Sequence, residues 1–316
     1  MLFYSVRISR LAYLSILLLG LLLSACNQPS TSTPATKTTT ASPQPTRTGT
    51  INTLAVVPAH YTSRVVLKGV GRPDDLAFDP QGQLLFSDEF NGTINRINAD
   101  GTVSLVLKDP QGPEGLVVLP DGTLIFAEQD TNRILSLAPG SHTPTLLRTL
   151  PGTPSTAQCK HGVDNIALDP TTNTLIVPDS PTGDVYRMSL DGKTFTKLAS
   201  GIVRPVGAGI DSQGTIFIAD ECGHAVWSIT PTGQTTRMAG FGMPDDVALD
   251  GYGNLLVIDL DPAIHALIRL NLATGKHETL ASAGYIEPQG LIVDSHHNIF
   301  VSDDYANIIV EYTPAA

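Results

Sequence analysis

The stretch "PDDLAF" (73–78) returns as "PDDVAL" (244–249), and the same tile continues through "PEGLVV" (113–118), "VDNIAL" (163–168), "PVGAGI" (205–210) and "PQGLIV" (288–293). Successive tiles start 40, 50, 42, 39 and 44 residues apart. Each is followed by a turn rich in Gly, Asn or Asp, then by a β-rich run closing on an acid: Asp88, Glu128, Asp179, Asp220, Asp259 and Asp303. A third short strand follows, as in "TINRIN" (93–98) and "AVWSIT" (225–230). Alternating apolar runs, turn residues at fixed offsets and a period near forty specify four-stranded blades around an axis.

Counting strands shows how the ring closes. The sixth unit stops after its third strand, "IIVEYTP" (308–314), so one blade lacks its outer strand. The missing piece stands at the front, where "SRVVLKGVGRP" (63–73) matches the fourth strand and crossover of other units, such as "TVSLVLKDP" (102–110). The reading is all-β: residues 58–316 form a six-bladed β-propeller with four-stranded blades, closed by an N-terminal strand completing the last blade. A monomer is expected.

Ahead of the repeats, Arg7 and Arg10 precede an apolar run from Leu11 to Leu23, the layout of an export signal over residues 1–25. Its end, "LSAC" (23–26), resembles the bacterial lipobox, which implies cleavage before Cys26 and lipidation of its thiol. Residues 26–57 then form a Thr/Ser/Pro tether with too little apolar surface to offset chain entropy. The expected location is extracytoplasmic, with the lipid on Cys26 as the sole membrane attachment. Loss of the two signal arginines moves the formal charge from −11 to −13. That sign argues against nucleic acid as a partner.

Acids at the end of the second strand recur in every blade, so they read as side chains capping the following turn. The tile's third position behaves differently. It is Gly115, Gly207 and Gly290 in blades 2, 4 and 6, but Asp75, Asn165 and Asp246 in blades 1, 3 and 5, each preceded by another acid: Asp74, Asp164 and Asp245. Tiles begin the innermost strands, so these three pairs are predicted to converge on the axis. Carboxylates so placed repel one another unless protonated, hydrated or bridged by a cation. Calcium, a hard ion tolerant of irregular oxygen cages, suits such a set. The alternative is that Asp and Asn replace Gly because all three tolerate unusual backbone angles, leaving a hydrated polar channel.

The repeats resemble NHL-repeat propellers and the wider six-bladed group of gluconolactonase/regucalcin, strictosidine synthase and the paraoxonases. The likeness spans roughly 60–314. "VDNIALDP" (163–170) is similar to the Asp-Asn segment that supplies calcium ligands in paraoxonases, although no "RxNDG" segment of the gluconolactonase kind is present. The resemblance implies calcium-dependent hydrolysis of a lactone or ester on the upper propeller face. The alternative is a non-catalytic NHL-type module binding a peptide, glycan or small molecule there.

His161 lies two residues before the third tile and is predicted to overlook the channel mouth, where a His beside a metal takes a proton from attacking water. His265 in blade 5 is a second candidate. Cys159 and Cys222 are expected either as a disulfide or as free thiols. The Cys-x-His pairs Cys159/His161 and Cys222/His224 also raise a zinc site, but their spacing matches no zinc pattern.

Overall fold

The computed structural model describes residues 61–157, 159–282 and 284–315. The export signal, Cys26 and the tether lie outside the described residues. Those described form strands, turns and bends with no helix. They make six antiparallel sheets of four strands each. Five blades run in chain order from the axis outward; the sixth takes its three inner strands from the C-terminal end and its outer strand, Tyr61–Lys68, from the front. The N-terminal strand closes the ring as the strand count required, pairing antiparallel with Ile308–Pro314 from Tyr61↔Pro314 to Lys68↔Ile308.

Second strands such as Leu84–Asp88, Leu124–Glu128 and Ile216–Asp220 are buried along their whole length, because a neighbouring blade covers each face. Continuous apolar runs are what such two-sided burial demands. Outer strands such as Thr235–Ala239 face solvent. The core consists of apolar clusters between adjacent blades: Phe86 meets Phe300 and Ile309 where blade 1 adjoins blade 6, and Leu85 meets Phe126 between blades 1 and 2. Ile176 meets Ile218 between blades 3 and 4, and Ile258 meets Val301 between blades 5 and 6.

In five of the six blades the acid ending the second strand ties down the crossover on the face where the site is built; Glu128 of blade 2 instead accepts from Thr131 Oγ1 and Arg133. Asp88 accepts hydrogen bonds from the backbone N of Asn91 (2.9 Å) in the following turn and of Arg72 (2.8 Å) in the crossover leading to the tile. Asp220 does the same with Gly223 and Arg204, and Asp303 with Ala306 and Ile286. Capping of the turn was legible in the sequence; the tie to the crossover was not. Both turns and crossovers are thereby pinned around the start of the inner strands.

Candidate functional site at the channel mouth

The doubled residues of blades 1, 3 and 5 divide into two layers. Their third-position members meet on the axis, where Asn165 Nδ2 donates to Asp75 Oδ1 (3.3 Å) and Asp246 Oδ1 (2.9 Å). The carboxylates also bind the next blade: Asp75 accepts from the backbone N of Leu116, and Asp246 from that of Leu291 (2.8 Å). This inner ring acts as a blade-to-blade tie. It separates an upper cavity of about 380 Å³ from a lower one of about 420 Å³ lined by the apolar side chains of the inner strands.

Gly115, Gly207 and Gly290 alternate with this ring for reasons of space. A Cβ on Gly115 would lie 2.7 Å from the Asn165 Cα, one on Gly207 2.6 Å from the Asp246 Cα, and one on Gly290 2.9 Å from the Asp75 Cα. None of these glycines, nor Asp75, Asn165 or Asp246, adopts positive φ. The expectation that unusual backbone angles select Gly, Asp and Asn here is therefore corrected. Close approach of the next tile's backbone selects the glycines.

The second-position members, Asp74, Asp164 and Asp245, line the upper cavity together with Glu114 of tile 2. The six residues predicted to share one ion therefore do not form one shell. Asp74, Glu114 and Glu89 instead bring carboxylate oxygens within 4.8 Å of one another. That span matches about twice a calcium–oxygen distance of 2.3–2.6 Å. Asp164 belongs to another group, bonded to Arg204 Nη2 at 2.9 Å, and Arg204 also pairs with Glu221. Gln129 Nε2 links the two groups, donating to Glu114 Oε1 (3.0 Å) and Asp164 Oδ2 (3.4 Å).

The donor set fits a hard cation. Asp245 is 6% exposed and its carboxylate accepts no hydrogen bond among the described residues; Oδ1 of Asp304, 8% exposed, is also buried without a partner. Burial, then repulsion from Asp164, pushes the Asp74 carboxyl well above the usual range, and burial with repulsion from Asp74 does the same to Glu114. Asp245 and Asp246 are raised likewise, while burial takes Asp75 and Asp304 up to about 7. The ligand atoms of the Asp74, Glu89 and Glu114 set are all oxygens, which favours calcium or magnesium over softer metals.

These shifts have a pH consequence. Folded carboxyls with raised pKa hold protons that the unfolded chain has released, so their contribution to stability is full below the unfolded value near 4. It is lost as pH rises through the folded values near 7 and above. In chelator, the melting temperature is expected to fall between about pH 5 and about pH 8, with calcium restoring it more strongly at the higher pH. A chelated melting point that is flat or rises over that interval would show that the cluster carries no such repulsion.

His161 stands on the cavity wall beside Glu89 and Gln129. Desolvation and the Arg204 charge lower its pKa, so the ring is neutral at neutral pH. A disulfide joins Cys159 to Cys222, with Cα atoms 6.0 Å apart, fastening the crossover that carries His161 to the turn that carries Glu221. The bond removes both thiolates as zinc ligands, and His224 is a turn residue at φ 54°. His265 likewise occupies a turn, at φ 37°, and does not line the cavity.

Comparison with solved structures returns the same architecture. Aldose sugar dehydrogenase from Streptomyces coelicolor, in its PQQ-bound form, superposes with a TM-score of 0.68 at 16% identity, over 81% of this chain and 99% of that one. A gluconolactonase from Xanthomonas campestris gives 0.66 at 16%, over 83% and 92%. Virginiamycin B lyase from Staphylococcus aureus with quinupristin gives 0.59 at 20%, over 78% and 82%. Three chemistries share one fold. No family model matches the chain, and no curated protein matches its sequence. The likeness therefore speaks for the propeller alone, and function has to be argued from the site.

Sequence reasoning missed Glu89, Glu114, Glu221, Asp304, Arg72 and Arg204, which all line the mouth. Signals for them existed. Four of the six tiles carry an acid at position two, and "SDE", "ADE" and "SDD" place a second acid directly after the one that caps.

Proposed function

We propose that the chain is an exported propeller, anchored through Cys26, that hydrolyses a lactone or ester at this mouth with a divalent cation, calcium first, held by Asp74, Glu89 and Glu114. The observation that carries the reading is a three-carboxylate set and a neutral imidazole on the wall of one cavity. A bound cation would supply Lewis acidity toward the substrate carbonyl. His161 takes the proton of the attacking water, and the Asp164 and Asp130 charges favour the imidazolium that results. Arg204 holds Asp164 in place. Ring opening yields a carboxylate, which the anionic wall repels and so releases. The resemblance to gluconolactonases, and the gluconolactonase among the structural neighbours, support hydrolysis over the other chemistries seen on this fold.

The test is turnover of a panel of lactones and aryl esters with calcium and with chelator. Calcium-dependent hydrolysis that drops about 10²-fold or more in His161→Gln, with loss of the acid limb of its pH profile, is expected. Calcium binding without turnover across the panel would replace the hydrolase with a non-catalytic binding module. Cys26→Ala should leave the membrane fraction once the signal is cleaved; persistence there would remove the lipid anchor from the reading.

A further inference from the structure

Beyond the carboxylate triad, the rim where blade 6 adjoins blade 1 carries two large aromatic side chains that packing leaves uncovered: Phe90 is 63% and Tyr305 49% exposed. They occupy equivalent places, each two residues past the acid that ends a second strand. Both line the upper cavity. Exposed rings grouped at a cavity mouth mark a contact surface, unlike solitary apolar residues scattered elsewhere.

What these rings touch shows which chemistry suits them. The guanidinium carbon of Arg72 lies 4.5 Å from the Phe90 centroid and 4.1 Å from that of Tyr305. The π faces thus already receive a flat cation. Arg72 also pairs through Nη2 with Asp304 Oδ2, but the other oxygen, Oδ1, is buried with no partner among the described residues. Glu287 stands on the same wall. Two acids, Asp304 and Glu287, face the Arg72 guanidinium, while Asp245 feels the charge of Arg204. The surplus is negative, and one buried oxygen is left unsatisfied, which is costly in the absence of a donor.

We propose that this side of the mouth is an organic-cation subsite. A ligand carrying an ammonium or amidinium on a flat ring displaces the Arg72 guanidinium from Phe90 and Tyr305 and presents its N–H donors to Asp304 and Glu287. Arg72 is then an internal stand-in for the ligand's charge. Combined with the hydrolytic reading, on which this extension rests, the substrate class is an amino-substituted lactone or ester, and anionic substrates are rejected.

The experiment uses three probes that share a ring and differ in charge: benzylammonium, benzyl alcohol and benzoate. They are titrated by calorimetry into the protein with calcium saturating, so that the triad is not free to take the amine. Benzylammonium is expected to bind about tenfold tighter than benzyl alcohol, with benzoate undetectable. Tyr305→Ala, at an exposed position that packing does not need, should weaken benzylammonium by about tenfold. Arg72→Gln should act in the opposite direction and tighten it several-fold, a sign that mere damage to the rim cannot produce. Tyr305→Ala should hold calcium as the wild type does. Equal affinity for the amine and the alcohol, an unchanged Tyr305→Ala, or weaker binding in Arg72→Gln overturns the subsite. None of the probes is hydrolysed, so failure of the lactone panel alongside intact amine selectivity would count against the hydrolase and not against the subsite.

Discussion

Deletion of Tyr61–Lys68 is expected to abolish the cooperative thermal transition. The strand supplies the outer edge of blade 6, pairing along its length with Ile308–Pro314. Leu67, 6% exposed, packs in one cluster with Leu76, Phe86, Phe300 and Ile309, so it fastens blade 6 to blade 1. Arg64 pairs with Glu311 at 2.5 Å, and just beyond the strand Gly69 N donates to Asn307 O at 2.8 Å. Truncating one buried leucine costs about 2–5 kcal/mol, against a typical total stability of about 5–15 kcal/mol. Losing the whole strand also leaves the Ile308–Pro314 edge unpaired and open to another chain. Leu67→Ala, as a milder probe, should still melt cooperatively but several degrees lower. A deletion variant that melted like the full chain and stayed monomeric would show that the ring does not need this closure.

The fold was legible because its unit is local and repeats. A tile, a turn, an acid-terminated strand and a short third strand are all contiguous in sequence, and the missing fourth strand of the last unit could be found by counting. The mouth was legible only where it coincided with that repeat. Asp74, Asp164 and Asp245 stand at one tile position and do face one cavity. The third-position residues looked equally functional because they alternate with glycine. Their alternation instead reflects how closely each even blade's tile approaches the backbone of the next, a distance that no single tile encodes. Glu114 went unrecognised because its neighbour is Gly115, and a search for doubled acids passes over it. Pairing of Cys159 with Cys222 spans 63 residues, so spacing carried no information about it.

Glu114→Gln is expected to lower calcium affinity by about two orders of magnitude, because affinity at oxygen-ligand sites is set by the number of charged ligands. The substitution keeps the side chain's shape and its acceptor for Gln129 Nε2, and so removes little but the charge. Glu114 is 3% exposed and is held above its usual pKa by burial and by Asp74, Asp164 and Glu89. Its ionised form is therefore a burden on the cation-free protein, and the two conditions should respond with opposite sign. In chelator at about pH 8, Glu114→Gln should melt higher than the wild type, since one buried repulsive charge is gone. In saturating calcium the order should reverse, since the wild type gains the larger binding free energy. Asp169→Asn serves as the control: its carboxylate accepts from Thr171 N and Thr172 N and pairs with Arg187 at 2.5 Å, away from the mouth. It should destabilise under both conditions and leave calcium affinity unchanged. A site built from Asp75, Asn165 and Asp246 would instead leave Glu114→Gln binding calcium as tightly as the wild type, and that result would move the cation from the mouth to the inner ring.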